Sequence, residues 1–374
     1  MVCHSPANRE NPRMSELAGF IRSEIAPVGV IPFARFMELA LYHPRQGYYE
    51  SSRERVGFQG DFYTSVSAGE LFGQLLAFRF ARWLGELPGK SDGWRIVEAG
   101  AHDGRLARDL LSWLRLHRPE LLGKIQYWII EPSPQRRQWQ QEKLREFSPQ
   151  VQWSTHLPAA GPFSGIVFSN ELLDALPVHR FAWDAPGQAW FEWGVALDGD
   201  KFCWAKIPPA AGAPPAVRLP EELLRVLPDG YVIETCPAAE QWWRDAAGLL
   251  DWGRLLTLDY GFTAGEMISP ARTRGTLRAY HRHHLSDDLL INPGEQDLTA
   301  HVNFSALQAA GESAGLTTEA YLTQPQFLTG ILAEAVKDAA FREWNTSRTR
   351  QFQTLTHPEH LGRAFKVLLQ RREG

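Results

Sequence analysis

Between Trp94 and Glu171 the chain alternates short apolar runs with amphipathic stretches, in the order WRIVEAG, RLARDLLSWLRLH, IQYWIIE, SPQRRQWQQEKLREF, VQW and GIVFSNE. Few folds accept that succession. Apolar runs without polar alternation read as strands buried on both faces, and the helices between them are the crossovers a parallel sheet requires. Right-handed crossovers place all the strand carboxyl ends along one edge, where open α/β sheets bind their ligands. The later run GRLLTLDYG (253–261) reads as one more buried strand, and ALQAAGESAG and QFLTGILAEAVKDAAFREW read as late helices. Residues 178–208 instead alternate around two Gly/Asp/Pro turns, the pattern of antiparallel strands inserted in or beside the sheet.

Ahead of this series, residues 15–45 predict two short helices broken at Pro27 and Pro32 and stopped by Pro44. A strong helix is expected from about Ala68, with Leu71, Leu75, Phe78 and Trp83 on one buried face. The expected division is a flexible tail over 1–14, with Met14 as a candidate start, then a helical cap and covering segment over 15–90. A Rossmann-like domain over 91–374 follows, with insertions around 178–250 and 262–330. A net charge of −4 argues against broad electrostatic binding to nucleic acid. Three widely spaced cysteines without a CxxC pair suit a reducing compartment, and no apolar run approaches the ~20 residues of a membrane span. The expected location is cytoplasmic, without membrane insertion.

The turn after the first strand, IVEAGAHDGRL (96–106), has Gly100 and Gly104 but lacks the middle glycine of a dinucleotide fingerprint. Asp103 would also place negative charge where a pyrophosphate needs an uncluttered helix N-terminus. A cationic ligand without phosphate, such as S-adenosylmethionine, tolerates that turn better, with Glu98 and Asp103 facing its amino group and the Gly100 backbone beside it. Taken alone, the motif also fits a plain strand-to-helix turn. Glu131, at the end of the second strand, is positioned to hold a ribose diol, which favours the adenosine reading.

The fourth strand runs into SNELLDALPVH, placing Asn170, Glu171 and Asp174 at the reactive edge. If the segment turns helical, Glu171 and Asp174 share a face and match a guanidinium fork, although a capped helix with solvated acids fits as well. In GDFYTS (60–65), Asp61 reaches for the ligand's amino group, while Thr64 and Ser65 are expected to cap the helix from Ala68. The HRHH run at 281–284 reads as a basic loop, and no metal site is expected.

The ordered set YHPRQGYY, GDFYTS, LFGQLLA, VEAGAHDGRLARDLL, EPSPQRRQWQ, SNELLDALPVHRF, LTLDYG, GTLRAYHRH, PGEQDLTAHVNFSAL and GRAFKVL resembles the MidA-like family of class I S-adenosylmethionine-dependent methyltransferases, over about Ser15–Leu369. The resemblance implies a Rossmann-like class I methyltransferase core with a mainly parallel sheet, an N-terminal helical cap and inserted β-hairpin and helical elements. It implies S-adenosyl-L-methionine at Glu98, Gly100, Gly104 and Glu131 under Asp61–Ser65, with Asn170, Glu171 and Asp174 by the transferring methyl. The implied activity is methylation of arginine in a protein acceptor, with a respiratory complex I subunit as one candidate and a homodimer as the candidate assembly. His102 stands where the family commonly has glycine, and Val66–Ser67 where a Pro-Glu pair often follows TS. The rival reading is therefore an assembly or binding protein whose catalysis has lapsed.

Overall fold

The computed structural model describes residues 12–50, 64–87, 93–157, 161–207, 219–281 and 284–373. Asp61, with the rest of 60–63, and residues 282–283 lie outside them. The described residues fall into two compact units, one from Met1–Ser52, Pro177–Thr235 and Pro270–Thr299, the other from Arg53–Leu176, Cys236–Ser269 and Ala300–Gly374.

The second unit holds seven main strands: β1 (Trp94–Ala99), β2 (Ile125–Ile130), β3 (Val151–Ser154), β4 (Phe163–Asn170), β5 (Leu250–Phe262), β6 (Thr317–Thr323) and β7 (Phe365–Arg372). They lie in the order β6-β7-β5-β4-β1-β2-β3, with β7 antiparallel to both neighbours and β1 through β5 parallel. Its longer helices are α1 (Leu71–Glu86), α2 (Arg105–His117), α3 (Pro134–Lys143), α4 (Pro237–Gly248), α5 (Phe304–Ser313), α6 (Gln324–Ala335) and α7 (Thr346–Thr356). One apolar layer joins the sheet to α1, α2 and α6, and another joins it to α4 and α5. Burial on both faces is why these strands read as unbroken apolar runs. Phe80 of α1 meets Phe168 of β4 edge-on at 5.1 Å, and burying each such ring contributes roughly 1.5–3 kcal/mol.

Register brings the strand ends level. Ala99 pairs with Ile130 on one side and Ser169 on the other, and Asn170 pairs with Leu258. Gly100 and Glu131, just past β1 and β2, therefore line up with Asn170, the last residue of β4, and Asp259, near the end of β5, along one edge. The helix expected from Ala68 begins at Leu71. Neither Thr64 nor Ser65 caps it, because both lie too far upstream for a side chain that reaches only two or three residues ahead. Thr64 Oγ1 instead accepts the Ser67 amide beside a short 3₁₀ turn at Val66–Ala68, and the Leu71 amide donates to Gln351 Oε1 of α7 at 2.9 Å.

The first unit is built on an antiparallel sheet. The strands expected over 178–208 are His179–Asp184, Ala189–Asp198 and Lys201–Ile207, joined by Val30–Pro32 and Val232–Thr235. They form a sheet of their own rather than extending the parallel one. The two helices expected near the N-terminus are Pro12–Ile25 and Phe33–Tyr42. Arg278–His281, His284–Ser286 and Asp297–Thr299 make a further small sheet.

Candidate active site

The turn leaving β1 is wound through positive φ at Gly100 (79°), His102 (45°) and Gly104 (81°). Glycine adopts that region freely, whereas an L-residue there costs roughly 1–2 kcal/mol. The chain thus takes the backbone path of a three-glycine turn while carrying histidine at its centre. A Cβ on Gly100 would stand 3.1–3.2 Å from Leu172 side-chain atoms, so this turn and the segment after β4 are in close approach. Burial pushes the His102 imidazole down to about 4, and it is neutral at pH 7.

Three acids near this turn have distinct surroundings. Glu98 is buried in β1, where its Oε2 accepts the Tyr127 hydroxyl at 2.6 Å, and burial raises its carboxyl to about 7. Asp103 accepts the Arg105 amide at 3.0 Å and pairs with Lys143. Burial works to raise the Asp103 carboxyl, but the Lys143 ammonium outweighs it and holds the group below its ordinary value. Glu131 lies just past β2 and is buried; Oε1 accepts the Ser133 amide at 3.0 Å and Oε2 accepts Gln140 Nε2 at 3.0 Å. Both carboxylate oxygens are therefore oriented, as recognition of a vicinal diol requires.

After β4 the expected helix does not form. Glu171 sits at φ 52°, and only Leu173–Ala175 make a 3₁₀ turn. Glu171 and Asp174 therefore do not present one helical face, since the left-handed residue breaks the three-residue spacing on which that expectation rested. Glu171 Oε1 accepts the Ser65 amide at 3.0 Å and Asn170 Nδ2 at 2.9 Å. Its carboxyl is pushed up to about 8 by burial, against those two donors and with added repulsion from Asp259. Ser65 is itself buried, and its hydroxyl hydrogen-bonds Gln324 at 3.1 Å. Asn170 Oδ1, at the strand tip, is buried with no hydrogen-bond partner among the described residues. Asp174 is buried, and its carbonyl accepts the Ala300 amide at 2.8 Å.

Two residues here escaped the sequence reading. Asp259, fully buried near the C-terminal end of β5, accepts the Leu172 and Leu173 amides on Oδ2 at 3.2 and 2.8 Å and the Tyr260 amide on Oδ1 at 2.8 Å. Its position after an apolar run is the same signal that exposed Glu131. Gln140 is the one buried residue of α3, and nothing in that polar helix's periodicity distinguishes it.

The family model described as "Putative S-adenosyl-L-methionine-dependent methyltransferase" matches residues 75–322, more than half of the chain. The chain belongs to this family. The methyltransferase family's Rossmann-like class I core is thus what the mainly parallel sheet builds, and the resemblance to MidA-like proteins holds. The chain is similar to "Protein arginine methyltransferase NDUFAF7, mitochondrial" of Mus musculus, 29% identical over 345 residues that cover 84% of this chain and 74% of that one. The Homo sapiens protein of the same name is 28% identical over 391 residues, covering 95% and 83%. Among solved structures, a superfamily member from Burkholderia thailandensis bound to S-adenosyl-homocysteine matches with a TM-score of 0.83 at 33% identity, covering 100% of this chain and 96% of that one.

These names overturn the expected cytoplasmic location, since the curated relatives are mitochondrial. Cysteines without a CxxC pair suit a reducing compartment without saying which one. Among the described residues, no helix is long and apolar enough to cross a membrane.

Proposed function

We propose that this methyltransferase moves a methyl group from S-adenosyl-L-methionine to an arginine side chain of a protein acceptor. The observation that carries the reading is the placement, at the tips of β2 and β4 on either side of β1, of an oriented buried carboxylate (Glu131) and of an unpartnered amide oxygen (Asn170 Oδ1) beside a second acid (Glu171). The names of the relatives support the acceptor class. The site residues fit the cofactor: Gly100 keeps backbone close to Leu172 without a Cβ between them, and Glu131 presents a carboxylate to a ribose. Asp61, Thr64 and Ser65 complete the proposed cofactor set from the covering side, with Asp61 outside the described residues.

When bound, the cofactor supplies an electrophilic methyl on a sulfonium. The chain's own task is alignment, because well-oriented reactants can account for roughly 7–11 kcal/mol of the barrier. Glu131 and the turn at Gly100 hold the donor. Asn170 and Glu171 receive the guanidinium, which stays cationic at neutral pH. Drawing its charge toward one nitrogen leaves another better able to attack; the new C–N bond forms as C–S breaks, and the nitrogen's surplus proton passes to the Glu171 carboxylate and then to solvent. Burial lifts the Glu171 carboxyl to about 8, so it holds its proton at pH 7 in the free protein; an arriving guanidinium favours the charged form, and that carboxylate is a stronger base than an ordinary glutamate.

Glu171→Gln tests the reading. Titration with S-adenosylhomocysteine should give wild-type affinity, and methyl transfer to protein acceptors in cell extract should fall by about 10²-fold or more. Transfer at the wild-type rate would remove Glu171 from the chemistry, and absence of any labelled protein with the wild type would favour a lapsed binding protein.

A further inference from the structure

We infer that Gln140 is the positioning residue for the adenosyl end of the site, because one buried amide ties the turn after β1, the carboxylate after β2 and an indole on β3 into a single fixed arrangement. The inference rests on the S-adenosylmethionine reading above.

Gln140 has no exposed surface, although the rest of α3 is partly or fully open to solvent. Its Nε2 donates to the His102 carbonyl at 2.9 Å and to Glu131 Oε2 at 3.0 Å, while its Oε1 accepts Trp153 Nε1 at 3.0 Å. Two acceptors on one side and a donor on the other fix the amide's orientation, since a flip would set oxygen against two oxygens and NH₂ against an indole N–H. No other side chain of this size meets all three demands. A carboxylate has nothing to donate, and an ammonium cannot accept from the indole.

The fixed amide has two consequences for the site. With Ser133 holding Oε1 and Gln140 holding Oε2, the Glu131 carboxylate is held in one orientation before a ligand arrives. The bond to the His102 carbonyl also holds the left-handed conformation that glycine would adopt unaided. Gly104 lets α3 come this close, with Gln140 atoms 3.4–3.5 Å from where its Cβ would be.

The test is titration of the full chain with S-adenosylhomocysteine, with thermal unfolding followed in parallel. Gln140→Met keeps volume and removes all three bonds, whereas Gln140→Glu keeps the acceptor for Trp153 and loses both donors. Either should weaken binding about 10- to 100-fold, the range of one or two lost hydrogen bonds to charged or buried partners. Kinetically, KM for the donor should rise with kcat unchanged at saturation. A second background separates positioning from simple support of the fold. In Glu131→Gln, which keeps an acceptor for the ribose, adding Gln140→Met should cost less than about threefold more, because the two residues act through one contact.

Wild-type affinity in both Gln140 variants overturns the inference, as does an equal loss in both backgrounds, which would mark support of the fold alone. Failure of the wild type itself to bind S-adenosylhomocysteine would overturn the cofactor reading and this inference together, and is distinguished by needing no variant at all.

Discussion

Asp259 offers the sharpest single perturbation, because it is buried without exposed surface and accepts three backbone amides, those of Leu172, Leu173 and Tyr260. Replacing it by alanine orphans those donors. Each buried, unpaired N–H costs roughly 1–3 kcal/mol, and the expected net loss is about 3 kcal/mol once water enters the vacated space and the cost of burying the carboxyl disappears. Asparagine keeps one oxygen for Leu172 and Leu173 but turns an NH₂ toward the Tyr260 amide, so its expected cost is smaller, about 1–2 kcal/mol. Urea unfolding measures both. Because the same bonds hold the segment carrying Glu171, Asp259→Asn should lower methyl transfer by about 10²-fold, the penalty of misplacing a reacting group by about an ångström, while S-adenosylhomocysteine affinity changes little. Variants as stable and active as the wild type would refute the claim that this carboxylate shapes the acceptor side of the site.

His102→Gly should stabilise the protein by about 0.5–1 kcal/mol in urea, since glycine relieves the left-handed strain and gives back part of the gain as chain entropy; a loss of stability would mean that the imidazole makes a compensating contact. Stability should also depend on pH. Glu98 and Asp259 are raised to about 7 and Glu171 to about 8, so the folded protein holds protons that the unfolded chain has released. Stability from such groups is complete below the ordinary carboxylate range and is lost as pH rises through the raised values. His102, lowered from 6.5 to about 4, acts in the opposite sense below 6.5 and offsets part of the fall there, which leaves pH 6.5 to 8 as the window in which the fall is unopposed by it. Unfolding free energies across that window should fall less steeply in Asp259→Asn, and a rise in the wild type would contradict the burial of these acids. Gln351→Ala, which removes the acceptor for the first amide of α1, should cost about 1 kcal/mol; an unchanged midpoint would show that water replaces it.

The parts of the fold legible in the sequence are those governed by local pattern. Trp94–Ala99, Ile125–Ile130 and Phe163–Asn170 are largely apolar runs, and Arg105–His117 has one apolar stripe, so the β1–β5 series could be read directly although α3 is polar. β7 carries Lys366, Gln370, Arg371 and Arg372 among its apolar residues, and its place between β5 and β6 depends on pairing with distant segments, so the sequence pattern did not expose it. The same division holds in the site. Glu131 and Glu171 stand out as acids following apolar runs, but the left-handed turn at Glu171, which undid the expected shared face with Asp174, goes with long-range contacts, of its carboxyl with the Ser65 amide and of its own amide with the Leu258 carbonyl. Gln140 acquires its role only through contacts with three other elements, and no composition or spacing rule identifies it.

The most direct test of the central claim is isothermal titration of the protein with S-adenosylmethionine and, separately, NADH, repeated with Glu131→Ala. The account predicts saturable binding of S-adenosylmethionine, weakened by about 10²-fold or more in the variant through loss of charge-assisted bonds to the ribose, and no binding of NADH. Binding of S-adenosylmethionine that is indifferent to Glu131, or no binding at all, would contradict it.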